Sequence, residues 1–143
     1  MRYVFLVSHG EFAPGLHKAV EMLGGSNRED LISTSLKNGM GADEFADNVR
    51  KLLEPITEDD EIALFADIVG GSPLTTAVNV IAERGLLGQT TMVGGMSLPL
   101  VLSTLLSKDF VDDYPEHIRN MMIPEARESI REFQVTVEEE DDI

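Results

Sequence analysis

The chain is 143 residues long, 43% hydrophobic and 26% charged, a profile that suits one compact domain and is cramped for two. Its 11 Lys and Arg stand against 26 Asp and Glu, a net charge of −15, which argues against a basic phosphate-backbone reader and sets nucleic acid aside as a partner. The absence of cysteine excludes disulfides, thiolate catalysis and Cys-ligated zinc or iron–sulfur centres. Apolar runs are far shorter than the roughly 20 residues that span a bilayer, and the N-terminus lacks a signal-peptide pattern, so the protein reads as cytoplasmic.

Tyr3-Val4-Phe5-Leu6-Val7 is a continuous apolar run rich in β-branched and aromatic residues, the mark of a strand buried on both faces. After it, Leu16, Ala19, Val20 and Leu23 fall on one helical face behind Pro14-Gly15, and Gly24-Gly25 closes the segment. Leu31 to Leu36, rich in Ser and Thr, suits an edge strand, and Ala42, Phe45, Ala46, Val49, Leu52 and Leu53 give a second helix up to Pro55.

Glu61 to Asp67 repeats the buried-strand pattern, and Gly70-Gly71-Ser72-Pro73 turns into a third helix with Ser72 as N-cap and Pro73 as its first residue. Gln89 to Val93 is a fourth strand, Gly94-Gly95 a second glycine turn, and Leu98, Val101, Leu102 and Leu105 the face of a fourth helix. Regular strand–helix alternation predicts an α/β fold: a doubly wound, mostly parallel sheet flanked by helices. Beyond it, Tyr114 to Ile123 reads as a helix interrupted by Pro124 and resumed over Glu125 to Arg131, and Phe133 to Val137 alternates like a final strand. The domain is taken as residues 1–137, and the run from Glu138 through Asp142 belongs to a disordered acidic tail, residues 138–143.

An open parallel sheet binds ligands outside the carboxyl ends of its strands, near the point where strand order reverses. The loops there carry Ser8-His9-Gly10-Glu11, Asp67 through Pro73, and Gly94 through Ser97. A carboxylate beside a histidine fixes its tautomer and leaves the other ring nitrogen free, so His9 would be the nucleophile and Asp67 its orienter. An anion on His9 would meet the amides of Gly70 and Gly71 and the Ser72 hydroxyl at a helix start, a phosphate pocket with neither lysine nor metal. The plainer alternative is an ordinary loop histidine, a turn-capping aspartate and a helix start. His17 and His117 lie within helices and are expected to be packed or solvent-facing. No histidine spacing suits a metal site, and no cofactor is expected. Met92, Met96, Met121 and Met122 read as core or interface filler.

The segments Tyr3 to Gly10, Leu64 to Pro73 and Gly94 to Leu100, taken together and in that order, closely resemble the enzyme IIA component of mannose-family sugar phosphotransferase systems. The resemblance spans about residues 1 to 135. It implies a cytoplasmic phosphotransferase that accepts a phosphoryl group from phospho-HPr and passes it to enzyme IIB, for sugar uptake through membrane components IIC and IID. It also implies phosphorylation of His9 at Nε2, Asp67 bonded to Nδ1, and Ser72 near the phosphoryl oxygens. This chain has Ile68 and Val69 where the family often has Thr and then Trp or Phe, and Ser97 where it commonly has Asn. Without that threonine hydroxyl, Ser72 and backbone amides would carry more of the phosphate contacts.

Three rivals share parts of this pattern. The phosphoryl-carrying subunit of dihydroxyacetone kinase has the same fold and chemistry, although the Gly-Gly-Ser-Pro turn favours the mannose family. A histidine phosphatase has Arg where this chain has Ser8, and would need a cationic clamp. A regulatory module that senses phosphorylation of His9 is the third. A homodimer is expected, because Phe133 to Val137 needs a sheet edge, which exchange between subunits or folding back onto its own chain would supply; the resemblance implies exchange, with this strand antiparallel.

Overall fold

A strand that is apolar at nearly every position has to be covered on both faces, and the computed structural model, which describes residues 1–136, seats it inside the sheet. β1 (Arg2–His9) lies between β2 (Leu31–Leu36) and β3 (Glu61–Ala66), and β4 (Thr90–Val93) pairs with β3. The order is β2-β1-β3-β4, all parallel, with Phe5 opposite both Ile32 and Leu64. β2 is an edge strand, as its Ser/Thr content predicts.

Residues of alternating parity feed two cores. Val4, Leu6, Ala63 and Phe65 pack under α1 (Phe12–Gly24) and α4 (Leu98–Ser107), with Tyr114, Ile118 and Met122 from the last helical segment. On the opposite face, Phe5, Val7, Leu64 and Ala66 meet α2 (Ala42–Leu53) and α3 (Ser72–Glu83). The doubly wound α/β reading is therefore the fold. Because the chain leaves β1 for β2 and later returns past it to β3, strand order reverses between β1 and β3, and the ends of these two strands, His9 and Asp67, border that point.

Two local expectations need correction. Gly71, not Ser72, holds the N-cap of α3, and Ser72 is its first helical residue with Pro73 behind it. Gly71 adopts the extended backbone a cap needs (φ −78°, ψ 163°), leaving the Ser72 hydroxyl uncommitted to capping the helix. Pro124 does not interrupt the last helix. α5 (Tyr114–His117) runs through a wide turn over Ile118–Met122 into α6 (Ile123–Glu128), with Ile123 N–H reaching the carbonyl of Ile118. Pro124 falls in the first turn of α6, where its missing N–H is tolerated.

The expected C-terminal strand would take its partner edge from a second copy. Residues 131–136 carry no strand pairing, and Phe133 and Val135 are exposed; Val137 and the acidic tail lie outside the described residues. Alternation alone does not make a strand, which needs a partner edge.

At the amino ends of the strands, charge is densely paired. Lys108, 1% exposed, places Nζ 2.7 Å from Asp30 and 3.0 Å from Asp109, and Arg28 grips Asp30 with two bonds of 2.9 Å. Arg2 donates to Glu61 and to the carbonyls of Lys108, Val111 and Asp112, and its guanidinium sits over the Tyr114 ring. Burial works to raise the Asp30 pKa, but hydrogen bonds from Arg28 and Lys108 and their charges outweigh it and pull it down to about 2.

Candidate active site

β1 delivers His9 and β3 delivers Asp67 to neighbouring positions at the carboxyl edge of the sheet. His9 Nδ1 lies 2.8 Å from Asp67 Oδ2. An ionised carboxylate only accepts, so Nδ1 carries the proton and Nε2 keeps its lone pair. The His9 backbone N–H donates to the same oxygen at 3.1 Å, and Ile68 N–H donates to Oδ1 at 3.0 Å. Burial pushes the Asp67 pKa up, but the His9 side chain and the two amides outweigh it and hold it below the usual carboxylate range. The aspartate is sheltered, at 17% side-chain exposure, while the histidine is 47% exposed. The pair is thus a fixed base with one face open.

The glycine turn meets this pair closely. A Cβ added to Gly71 would stand 3.0 Å from His9 Cε1, so the absence of a side chain lets the imidazole edge lie against the start of α3. Gly70 has φ +77°, and Ser72 follows as the first residue of the helix. In that first turn the amides of Ser72 and Leu74 have no intrahelical acceptor, Pro73 has no N–H, and Thr75 is the first to bond back, to the Gly71 carbonyl. His9, Asp67, Gly70, Gly71 and Ser72, singled out from sequence, thus gather at one edge.

Two supports were not legible beforehand. Ser8, fully buried, accepts from Ala13 N–H at 2.7 Å and donates to the His9 carbonyl at 3.0 Å, fixing the turn from His9 into α1. Gly94, adjacent to β4, is required by close approach: a Cβ there would come within 2.3 Å of Val69 Cγ2 and 2.7 Å of Val69 N. The same segment sends Gly95 N–H to the Asp67 carbonyl and Met96 N–H to that of Ala66. The second glycine turn therefore braces Asp67, and Ser97 is occupied in capping α4 through Leu100 N–H. A glycine pair directly after a strand was the available signal.

The other histidines stand apart. His17 bonds Ser33 Oγ at 2.7 Å, and the buried His117 bonds Ser107 Oγ at 2.8 Å; both are packed, as their helical positions suggested. Met96 and Met122 fill the core, whereas Met92 and Met121 are about half exposed.

A parallel α/β sheet with a histidine–aspartate pair at its carboxyl edge, facing a helix that begins with free amides, defines a class of protein able to hold an anion on a nucleophilic imidazole. The particular family follows from comparison. The chain belongs to the family described as "PTS system fructose IIA component", whose profile matches residues 3–122, a sugar phosphotransferase family with a phosphocarrier role. It is 29% identical over 102 residues to the PTS system fructose-specific EIIA component of Bacillus subtilis (strain 168), covering 71% of this chain and 67% of that protein. Two solved structures share the fold. One is a PTS IIA protein associated with the fucose utilization operon of Streptococcus pneumoniae, with TM-score 0.76 and 23% identity, covering 92% of each chain. The other is a mannose/sorbose specific IIA subunit from Enterococcus faecalis, with TM-score 0.77 and 16% identity, covering 94% of this chain and 96% of that one. No helix of the described residues is long and apolar enough to cross a membrane.

Proposed function

We propose that the protein accepts a phosphoryl group from phospho-HPr on Nε2 of His9 and passes it to enzyme IIB, in the cytoplasm, for sugar uptake through IIC and IID. The observation that carries this reading is the 2.8 Å contact of His9 Nδ1 with Asp67, which leaves Nε2 open at an exposed edge. The Nε2 lone pair attacks phosphorus, the bond from phosphorus to the donor breaks, and the donor keeps that electron pair. His9 becomes an imidazolium whose Nδ1–H stays on Asp67, a charge-assisted bond worth about 1.5–3 kcal/mol. Onward transfer reverses these steps: the electron pair returns to Nε2 as the enzyme IIB nucleophile takes phosphorus. Ser72 and the amides of Gly70 and Gly71 receive the phosphoryl oxygens, and their dipoles offset the charge brought in without a lysine or a metal.

The surroundings suit a carrier rather than a hydrolase. A donor protein must reach the nucleophile, and His9 is half exposed. The net charge of −15 favours partners that present basic surfaces. The subunit is a homodimer in this reading. β4 is an edge strand, and the alternating Phe133 and Val135 stand exposed beyond α6; pairing them with a second copy's sheet would cover both.

The test is incubation with phosphoenolpyruvate, enzyme I and HPr, followed by addition of enzyme IIB. One acid-labile phosphoryl group per chain, lost when enzyme IIB is added, is the expected result. No labelling with active HPr overturns the carrier role.

A further inference from the structure

Exposed apolar side chains in a loop need a reason, and the two after Asp67 have different ones. Val69 is 79% exposed but its backbone and Cγ2 lie against Gly94, which explains how it is held. Ile68 is 52% exposed and belongs to neither core cluster. The point where a Gly71 Cβ would sit is 3.0 Å from Ile68 Cγ1, 3.1 Å from its Cδ1 and 3.0 Å from His9 Cε1. The isoleucine and the imidazole edge therefore flank one small space, and Cε1 is covalently next to Nε2. The Ile68 N–H on Asp67 Oδ1 fixes the backbone from which this side chain springs, and β-branching stiffens its χ1.

We propose that Ile68 is a water-excluding wall of the phosphohistidine pocket that prolongs the life of the phosphoryl group on His9, an inference that rests on the carrier reading above. Hydrolysis forms a bond from a water oxygen to phosphorus and breaks the phosphorus–Nε2 bond. The electron pair returns to Nε2, and both water protons leave with inorganic phosphate, one on the new oxygen and one passed to a phosphoryl oxygen. A water poised for that attack needs hydrogen-bond partners, and the side chain at position 68 offers none. A protein nucleophile brings its own packing surface and does not need them. Ile68 thus favours transfer to a protein over loss to solvent.

The test loads the full chain by two routes, phospho-HPr and phosphoramidate, a small-molecule donor that phosphorylates imidazole. After donor removal, the half-life of phosphate on His9 is followed by mass spectrometry with site mapping, with His9→Ala as the blank. Ile68→Ser is expected to shorten that half-life about fivefold or more, and Ile68→Val, which keeps an apolar β-branched wall, to restore most of it. Equal half-lives for wild type and Ile68→Ser, or equal shortening in Ile68→Val and Ile68→Ser, overturn the proposal. Labelling of His9 by phosphoramidate but not by phospho-HPr overturns the carrier reading and leaves the shielding measurable. No label on His9 from either donor overturns both.

Discussion

The two ends of the sheet use charge in opposite ways. At the amino ends, Arg2, Arg28 and Lys108 are locked onto Asp30, Asp109, Glu61 and a row of carbonyls. At the carboxyl ends, one carboxylate holds one half-exposed imidazole, and the first-turn amides of Ser72 and Leu74 have no intrahelical acceptor. A saturated network resists change because every group removed strands a partner. An open one is available to a ligand, and the contrast separates the pole that stabilises from the pole at which we propose the chemistry.

Substitutions should respect that division. His9→Ala is expected to abolish phosphoryl acceptance while leaving the fold intact, because a half-exposed side chain contributes little core; label persisting on His17 or His117 would show the nucleophile to be elsewhere. Asp67→Asn should slow transfer by about one to four orders of magnitude, the range set by orienting carboxylates. An unchanged rate in rapid-quench transfer would remove Asp67 from the mechanism. Both changes act on rate far more than on unfolding free energy.

At the other pole the expected effect is on stability. Lys108→Met removes a fully buried cation from between Asp30 and Asp109 and should cost about 3 kcal/mol in urea unfolding, with phosphoryl transfer retained in the folded fraction. Asp30 adds a pH signature. Its folded pKa of about 2 lies below the ordinary 3.8, so its stabilising contribution is complete above the ordinary value and is lost as pH falls toward the folded one. Unfolding midpoints measured down that range should fall less steeply in Asp30→Asn than in wild type. Parallel slopes would mean that the ion pairs are energetically idle.

How much of this could be read in advance differs by feature. The runs Tyr3 to Val7 and Ile62 to Ala66 announce buried strands because burial on both faces permits no polar break, and their loops hold the candidate site because parallel sheets expose it there. The cap of α3 is off by one residue, since Gly71 and Ser72 are both acceptable capping types and only the backbone decides. Pro124 looks like a break because a pattern cannot show the wide turn that accommodates it. Lys108 resembles a surface lysine until folding brings Asp30, from the amino end of β2, beside it and its sequence neighbour Asp109. The approach of Ile68 and His9 to one point beside Gly71 is likewise invisible in sequence, because it depends on the missing side chain of Gly71.

We propose that Asp67 fixes the His9 tautomer so that chemistry occurs at Nε2. Nitrogen-15 and phosphorus-31 NMR of the phosphorylated protein, with the histidine ring labelled, reads the attachment atom directly. Phosphorus coupled to Nε2 of His9, with the Nδ1 proton retained in its hydrogen bond to Asp67, is the expected result. Phosphorus on Nδ1, or on any residue other than His9, would contradict it.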